Sequence, residues 1–356
     1  MDIDELYYDA VDLLKAMIAT ESVSREEKTV ADVIEAAMRG YGLGVRRAGN
    51  NLWVVSNDFD PAKPTILLNS HIDTVKPVEG WTRDPFTPDV TDDGVLYGLG
   101  SNDAGASVVT LMGAFRYLTA HEQPCNYIFL ASCEEEVSGK NGVEKVLPML
   151  PKIDVAIVGE PTQLEPAIAE KGLMVLDGEA IGVAGHAARN EGVNAIYKAI
   201  EAIGRLRAVR FERDSELLGP VKVTVAQINA GTQHNVVPDR CTMVVDVRTT
   251  DASDNLATLS VLRDAVGDLC TLTPRSTRLN PSGIDQGHSL VQRLVMMGKK
   301  PFGSPTLSDQ ALMPFPSLKL GPGDSARSHT ADEYIKLGEI REALHTYCTL
   351  LDGYKV

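Results

Sequence analysis

The sequence predicts an α/β protein whose larger domain carries a mostly parallel sheet, with an α+β domain inserted into it. Three observations predict this. Short apolar runs with strand character alternate with helix-patterned stretches over residues 52–160. Several of these runs break off directly into acidic or histidine residues. The texture changes near residue 172 to a separate pattern of strands and helices, and the earlier pattern returns after 283. A chain of 356 residues is also long for a single core. The expected division is therefore 1–172 with 284–356 as one domain, and 173–283 as the insertion.

Residues 4–20 carry Leu6, Ala10, Leu13, Leu14, Met17 and Ile18, a helical stripe. Ser24-x-x-Glu27 reads as a capping box opening a second helix, with Val30, Ile34 and Met38 inside and Gly40 near its end. Strands are expected at 52–55 and 65–69. A long loop with Pro77, Gly80, Pro85, Pro88 and Gly94 leads to Tyr97-Gly98-Leu99-Gly100-Ser101-Asn102-Asp103, and a helix follows over 104–119. The strand at 127–132 runs into Glu134-Glu135-Glu136, and that at 155–158 into Gly159-Glu160-Pro161. Within the insertion, strands are expected at 173–183, 221–228 and 242–247, and helices at 193–209 and 254–268. A helix near 288–298, a strand at 317–320, the turn Gly321-Pro322-Gly323-Asp324 and His329 precede a last helix carrying Ile335, Leu337, Ile340, Leu344, Tyr347 and Leu350. The Met296-Met297 pair reads as core packing.

Hydrophobic residues make up 44% and charged residues 23%, the balance of an ordinary globular protein. The net charge of −15 argues against nucleic acid and anionic membranes as partners, and leaves a small molecule as the expected ligand. Five scattered cysteines (Cys125, Cys133, Cys241, Cys270 and Cys348), with no C-x-x-C, suggest neither a disulfide framework nor a thiolate metal site. The acidic start Met1-Asp2-Ile3-Asp4-Glu5 does not resemble a signal peptide, and no apolar run approaches the roughly 18 residues of a membrane span. A cytoplasmic protein is expected.

In parallel α/β sheets, ligands gather at the carboxyl ends of the strands. The groups at or soon after such ends are His71, Asp103, Glu135 and Glu136, Glu160 and His329. His71 and Asp73 stand two apart, so on extended chain they can face one cavity together, or Asp73 can hold the imidazole from behind. Nitrogen and oxygen donors without thiolate suit zinc, with cobalt or manganese as alternatives. Their number exceeds the need of one ion and suits two, roughly 3.5–4 Å apart and sharing a carboxylate.

The order His-x-Asp, Gly-x-Gly-x-x-Asp, x-Glu-Glu, Gly-Glu-Pro and Gly-Pro-Gly-Asp…His-x-x-Asp-Glu-Tyr resembles the dinuclear zinc amidohydrolase and peptidase family of aminoacylase, acetylornithine deacetylase and succinyl-diaminopimelate desuccinylase. Among these it is most similar to acetylornithine deacetylase. The resemblance runs nearly end to end. It implies a zinc-peptidase type of catalytic domain, with the insertion serving as lid and dimerisation domain of a homodimer. It further implies two Zn2+ (replaceable by Co2+ or Mn2+) bridged by Asp103, with His71 and Glu160 completing one shell and Glu136 and His329 the other. Glu135 is then the general base and Asp73 the orienter of His71; a slip of one residue in the acidic run would make Glu134 the base and Glu135 the ligand. In Gly185-His186-Ala187-Ala188, His186 matches the histidine that completes the oxyanion site, often across the dimer. A solvated loop histidine is the plain alternative. Asn235, Arg248 and Asp324 match substrate-binding positions; for Arg248 the plain alternative is a strand-end salt bridge. His121, His288 and His345 read as structural, and His234 stays ambiguous. Relatives usually follow the bridging Asp with x-Lys-Gly, and a frequent Arg stands where Leu99 is; here the run is Asp103-Ala104-Gly105-Ala106.

The implied activity is hydrolysis of an N-acyl-amino acid, N2-acetylornithine or an acetylated or succinylated ornithine or citrulline, in arginine biosynthesis. Glu160, where aminopeptidase members tend to have Asp, favours this over a dipeptidase or aminopeptidase. A degenerate member that binds metal or ligand without turnover is the third alternative.

Overall fold

Residue alternation along Thr65–His71 explains the centre of the molecule. In the computed structural model, which describes residues 2–356, this strand is buried along its whole length. Ile66 and Leu68 face one layer and Leu67 the other. A strand covered on both sides reads as a continuous apolar run, which is the sequence signature of a parallel sheet flanked by helices.

The chain separates into two units. One comprises the residues up to Ile168 together with Gly283–Phe302 and Ser308–Val356; the other comprises Ala169–Ser282 and Gly303–Leu307. The segment 303–307, expected in the catalytic domain, falls instead with the second unit. Lys171 N donates to Ser304 O at 3.3 Å, and a Cβ on Gly303 would come within 2.3 Å of the Leu217 carbonyl oxygen. That backbone pairing is long-range and leaves no local trace.

In the first unit, helices α1 (Ile3–Ile18) and α2 (Lys28–Gly40) precede strands β1 (Asn51–Val55) and β2 (Thr65–His71). Helix α3 (Ala106–Leu118) and strands β3 (Asn126–Ser132) and β4 (Val155–Val158) follow. The sheet runs β1–β3–β2–β4 and continues with Ser317–Lys319. Strands β3, β2, β4 and Ser317–Lys319 are mutually parallel, and β1 is antiparallel to β3. On one face Ile66, Phe129 and Ile157 pack with Leu14, Ile34, Phe115 and Tyr347; on the other Leu67, Ile128 and Val158 pack with Trp53 and Val146. Each such fully buried side chain contributes about 1.5–3 kcal/mol.

Two local readings are corrected. The capping box does not form: α2 starts at Lys28 with Glu27 at its N-cap and no side-chain cap bond. The Ser24 hydroxyl instead donates to Asp73 Oδ2 at 2.7 Å. This bond to a charged acceptor holds the Ser24 side chain at Asp73, and the helix begins only at Lys28. The buried Glu27 carboxylate accepts from Arg25 N, Glu134 N and Asn50 Nδ2. Met296 is 80% exposed, and only Met297 packs on the core, because helix Ser289–Met296 turns Leu290, Val291 and Leu294 inward.

The second unit is an antiparallel sheet with helices on one face. Strand β5 (Gly172–Ile181) leads to helix α4 (Ala195–Ala208), strands β6 (Lys222–Ala230) and β7 (Arg240–Thr249), helix α5 (Asn255–Val266) and strand β8 (Thr271–Pro274). The strand order is β6–β7–β5–β8, which leaves β6 at an edge. Its own core joins Met174, Leu176, Val245 and Met243 to Ala199, Leu206 and Leu262. All five cysteines are free and buried. No helix among the described residues is long and apolar enough to cross a membrane.

Candidate metal centre

The parallel strands bring their carboxyl ends to one side of the sheet, and the acidic and histidine residues collect there. His71 is the last residue of β2, Glu135 and Glu136 follow β3, and Glu160 follows β4. Asp103 lies in the tight turn Ser101–Gly105 that enters α3, and His329 follows the short turn Ser325–Arg327.

Their ligand atoms form two groups that share Asp103. In one, donor atoms of His71, Asp103 and Glu160 lie within 4.8 Å of one another; in the other, those of Asp103, Glu136 and His329 do. His71 Nε2 is 3.2 Å from Asp103 Oδ1 and 3.9 Å from Glu160 Oε1. His329 Nε2 is 3.0 Å from Glu136 Oε2 and 3.7 Å from Asp103 Oδ2. A divalent cation fits this arrangement on two grounds. The donors are imidazole nitrogens and carboxylate oxygens, suited to zinc or manganese. Glu160 Oε1 is buried and has no hydrogen-bond partner, a state that costs free energy unless a cation completes it.

Asp73 sits behind the imidazole rather than beside it. His71 Nδ1 donates to the Asp73 backbone carbonyl at 2.9 Å, while the Asp73 carboxylate oxygen is 3.6 Å away. That fixes the tautomer, leaving Nε2 free to face the cluster. The carboxylate itself has other work: it accepts from Glu135 N at 3.0 Å and Glu136 N at 3.1 Å. Burial opposes its charge, but His71, Ser24 and the Glu135 amide hold the Asp73 carboxyl below its ordinary range.

The three consecutive glutamates diverge. Glu134 adopts a left-handed backbone (φ 56°), and its carboxylate accepts from Asn141 N and Nδ2 at 3.3 and 2.9 Å. Glu136 meets His329. Glu135 is pushed well above the ordinary carboxyl range by burial, reinforced by Glu160, Asp309 and Glu136 and opposed by His71. Burial likewise pushes Glu160 up to about 8, with Asp103 and Glu136 adding to it. Burial lowers the affinity of His71 for a proton, but hydrogen bonds to Asp103 and Asp73 and the charges of Glu135 and Glu160 raise it well above normal. His329 is raised to about 9, first by its bond to Glu136.

Several residues here were not anticipated. Asp309 accepts from Ser132 Oγ at 2.6 Å and is pushed up to about 6 by burial. Asn69 Nδ2 donates to the same Ser132 hydroxyl at 2.9 Å. Glu333 is buried, and its Oε1 accepts from Asn102 N and Asp103 N. Only Glu333 carried a hint, since it stands inside the quoted Asp-Glu-Tyr run. The lysine absent after Asp103 has a counterpart from elsewhere: Lys319, buried on the last parallel strand, opposes the rise of Glu160.

Of the remaining expected residues, Asp324 belongs to the first unit and His186, Asn235 and Arg248 to the second. Asp324 Oδ1 accepts from Ala326 N at 2.9 Å, so its carboxylate caps the turn before His329. In the second unit, Arg248 forks onto Asp246 with Nε and Nη2 at 2.9 and 3.2 Å. His186 is exposed, and its Nδ1 accepts from Ala188 N at 3.1 Å. Asn235, also exposed, accepts from Ala187 N through its backbone carbonyl, which brings it next to the His186 strand. His121 bonds Asp352, His288 caps helix Ser289–Met296, and His234 and His345 are exposed.

The profile of Peptidase family M20/M25/M40 matches residues 67–353. A Mycobacterium tuberculosis protein assigned as a succinyl-diaminopimelate desuccinylase is 26% identical over 98% of this chain and 99% of its own. An acetylornithine deacetylase of Klebsiella pneumoniae is 28% identical over 95% of this chain and 97% of its own. Among solved structures, a dinuclear metal-binding peptidase of the M20 family from Bacillus subtilis superposes with a TM-score of 0.73 at 15% identity, covering 98% of each chain. With the match covering every residue of the cluster and the inserted unit, this chain belongs to Peptidase family M20/M25/M40 and is a metallo-hydrolase.

Proposed function

We propose that this protein hydrolyses the amide bond of an N-acyl-amino acid, with N2-acetylornithine or an acetylated or succinylated ornithine or citrulline as substrate, in arginine biosynthesis. The observation that carries the reading is the pair of ligand groups sharing Asp103. His71, Asp103 and Glu160 would hold one cation, and Asp103, Glu136 and His329 the second. When bound, such a pair polarises a carbonyl and brings the pKa of solvent toward neutrality.

The chain's own groups supply the rest. Glu135 is the general base: its carboxylate takes a proton from the attacking water and returns it to the departing amine nitrogen. Its burial among other carboxylates raises its proton affinity, which suits a group that must both accept and give. Glu134 is less suited, since Asn141 occupies its carboxylate. Asp73 holds His71 through its carbonyl and the Glu135–Glu136 backbone through its carboxylate. In the second unit, His186 is the proposed oxyanion donor, from the same chain or from a partner subunit. Asn235 and Arg248 are the proposed substrate contacts, Arg248 exchanging Asp246 for the substrate carboxylate. Asp324, whose carboxylate also caps the turn before His329, is the third proposed substrate contact.

Both curated relatives carry names that denote removal of an acyl group, which supports an N-acyl-amino acid over a peptide. The exposed Tyr197 and Ile200 of α4 and Ile228 on edge strand β6 support a homodimer through the second unit. The test is a substrate panel on purified protein loaded with Zn2+ or Co2+, scored by release of free amine. Faster cleavage of dipeptides with free N-termini would replace this reading with a peptidase of the same family.

A further inference from the structure

We propose that Glu333 and Asn102 are positioning residues that set the spacing of Asp103 and His329, and thereby govern the cation held by Asp103, Glu136 and His329. The inference rests on the two-cation reading of the site.

His329 is poorly held by its own surroundings. Its side chain is 52% exposed and its backbone is left-handed at φ 58°, a conformation that non-glycine residues adopt at a cost. Its place must therefore come from the segment on either side, and that segment is tied to the Asp103 turn at both ends. Before His329, Asn102 pairs with the backbone of Asp324, its Nδ2 donating to Asp324 O at 3.1 Å and its Oδ1 accepting from Asp324 N at 3.0 Å. The same Nδ2 donates to Ser328 Oγ at 3.3 Å, and the Ser328 hydroxyl bonds the Asp103 carboxylate. After His329, a single oxygen of Glu333 accepts from Asn102 N at 2.8 Å and Asp103 N at 2.9 Å.

Both ties are dry. Asn102 and Glu333 are buried, so water cannot replace a lost partner without cost. Neither side chain belongs to the two ligand groups. The effect is therefore on one site more than the other. The site of His71 and Glu160 draws those two donors from ends of packed strands, whereas the site of His329 draws one from a half-exposed segment. Thr82 and Arg83 hold that segment at Asp332 and Glu339 holds it at Arg327, but the Asn102, Ser328 and Glu333 bonds join it to the Asp103 turn. Partners of this outer kind change metal affinity by about 10–100-fold when removed.

The experiment is equilibrium dialysis of the metal-free protein against Zn2+ with elemental analysis, beside far-UV circular dichroism and melting of the metal-free forms. Wild type binds two equivalents. In Glu333→Ala and Asn102→Ala the first equivalent stays near its wild-type affinity, and the second weakens by about 10–100-fold. Glu333→Gln, which keeps an oxygen for the two amides, loses less than Glu333→Ala. Two equivalents at wild-type affinity in both alanine variants would overturn the proposal, as would equal weakening of both equivalents in a normally folded variant. Should Glu333→Ala not fold, Asn102→Ala decides by the same criterion. A wild type that binds fewer than two equivalents would instead remove the two-cation reading itself.

Discussion

The backbone amide of Glu135 donates to the carboxylate of Asp73 at 3.0 Å, and the next amide, Glu136 N, donates to its other oxygen at 3.1 Å. One buried carboxylate thus grips the turn that presents both the proposed base and a proposed ligand, while the backbone carbonyl of the same residue fixes the tautomer of His71. Replacing Asp73 by Ala leaves two amides without an acceptor, each loss costing about 1–3 kcal/mol where buried. Kinetics with the best acyl substrate are expected to show kcat/KM down by at least about tenfold, with a lowered melting temperature. Asp73→Asn, which keeps one oxygen, is expected between the two. An alanine variant of undiminished activity would show that the grip is dispensable.

The acidic run separates two roles by a single residue. Glu135→Gln is expected to lower kcat by about 10²–10⁴-fold while the protein still binds its cations, the usual contribution of a positioned proton carrier. Glu134→Gln retains an oxygen for Asn141 Nδ2 and is expected to leave kcat within about threefold of wild type. Steady-state rates and metal stoichiometry on the two variants decide the register. The reverse ranking would make Glu134 the base.

How far the sequence carries the structure follows from what kind of force places each residue. The continuous run of 65–69 announces a buried parallel strand because sheet burial acts residue by residue, and the groups where such runs break off are legible for the same reason. His71, Asp103, the Glu135–Glu136 pair, Glu160 and His329 are readable in this way, and the choice of Glu136 as ligand comes from the family resemblance. The structure brings the ligand atoms of His71, Asp103, Glu136, Glu160 and His329 into two groups. Ser24 misled because its local signal for a helix cap lost to Asp73, a partner 49 residues away. Asp309, Glu333 and Asn102 carry no periodic signal. Their place depends on Ser132 and on backbone amides that only tertiary folding delivers. Residues 303–307 joined the second unit through backbone pairing with Lys171, to which side-chain pattern is blind.

The site makes stability depend on pH in a direction opposite to that of ordinary salt-bridged carboxylates. Burial raises Glu160 and Glu333 to about 8 and Asp309 to about 6, and His329 rises to about 9 through Glu136. All four groups hold their protons more tightly folded than unfolded. Between the unfolded and folded values the native state therefore binds more protons, so stability falls as pH rises. The metal-free protein is expected to melt at progressively lower temperature from about pH 5 to pH 9. Asp73 and Asp103, which are lowered, act with the opposite sign only in acid. Saturating Zn2+ neutralises the carboxylates and is expected to remove most of the decline, adding stability by mass action. Calorimetry with chelator and with Zn2+ across this range checks it. A melting temperature that rises with pH in the chelated protein would contradict the assignment.

The Gly-Pro-Gly turn has a steric cause that can be tested against a neutral control. A Cβ on Gly321 would lie 2.4 Å from the Glu160 carbonyl oxygen and 2.5 Å from Ser107 Oγ. The first obstruction is backbone and cannot swing aside, so Gly321→Ala must push the Glu160 strand end away from the turn. A substitution that overpacks in this way costs about 1–3 kcal/mol and is expected to weaken the cation shared by His71, Asp103 and Glu160 more than the other. Gly338, in helix Leu337–Leu351, has nothing within 4 Å of its would-be Cβ. Gly338→Ala is expected to stabilise by about 0.4–1 kcal/mol, through lower unfolded-state entropy, with no effect on cation binding. Chemical denaturation with Zn2+ titration on the two variants separates the effects. If Gly321→Ala matched Gly338→Ala in both readouts, close approach at Glu160 would not be the reason for that glycine.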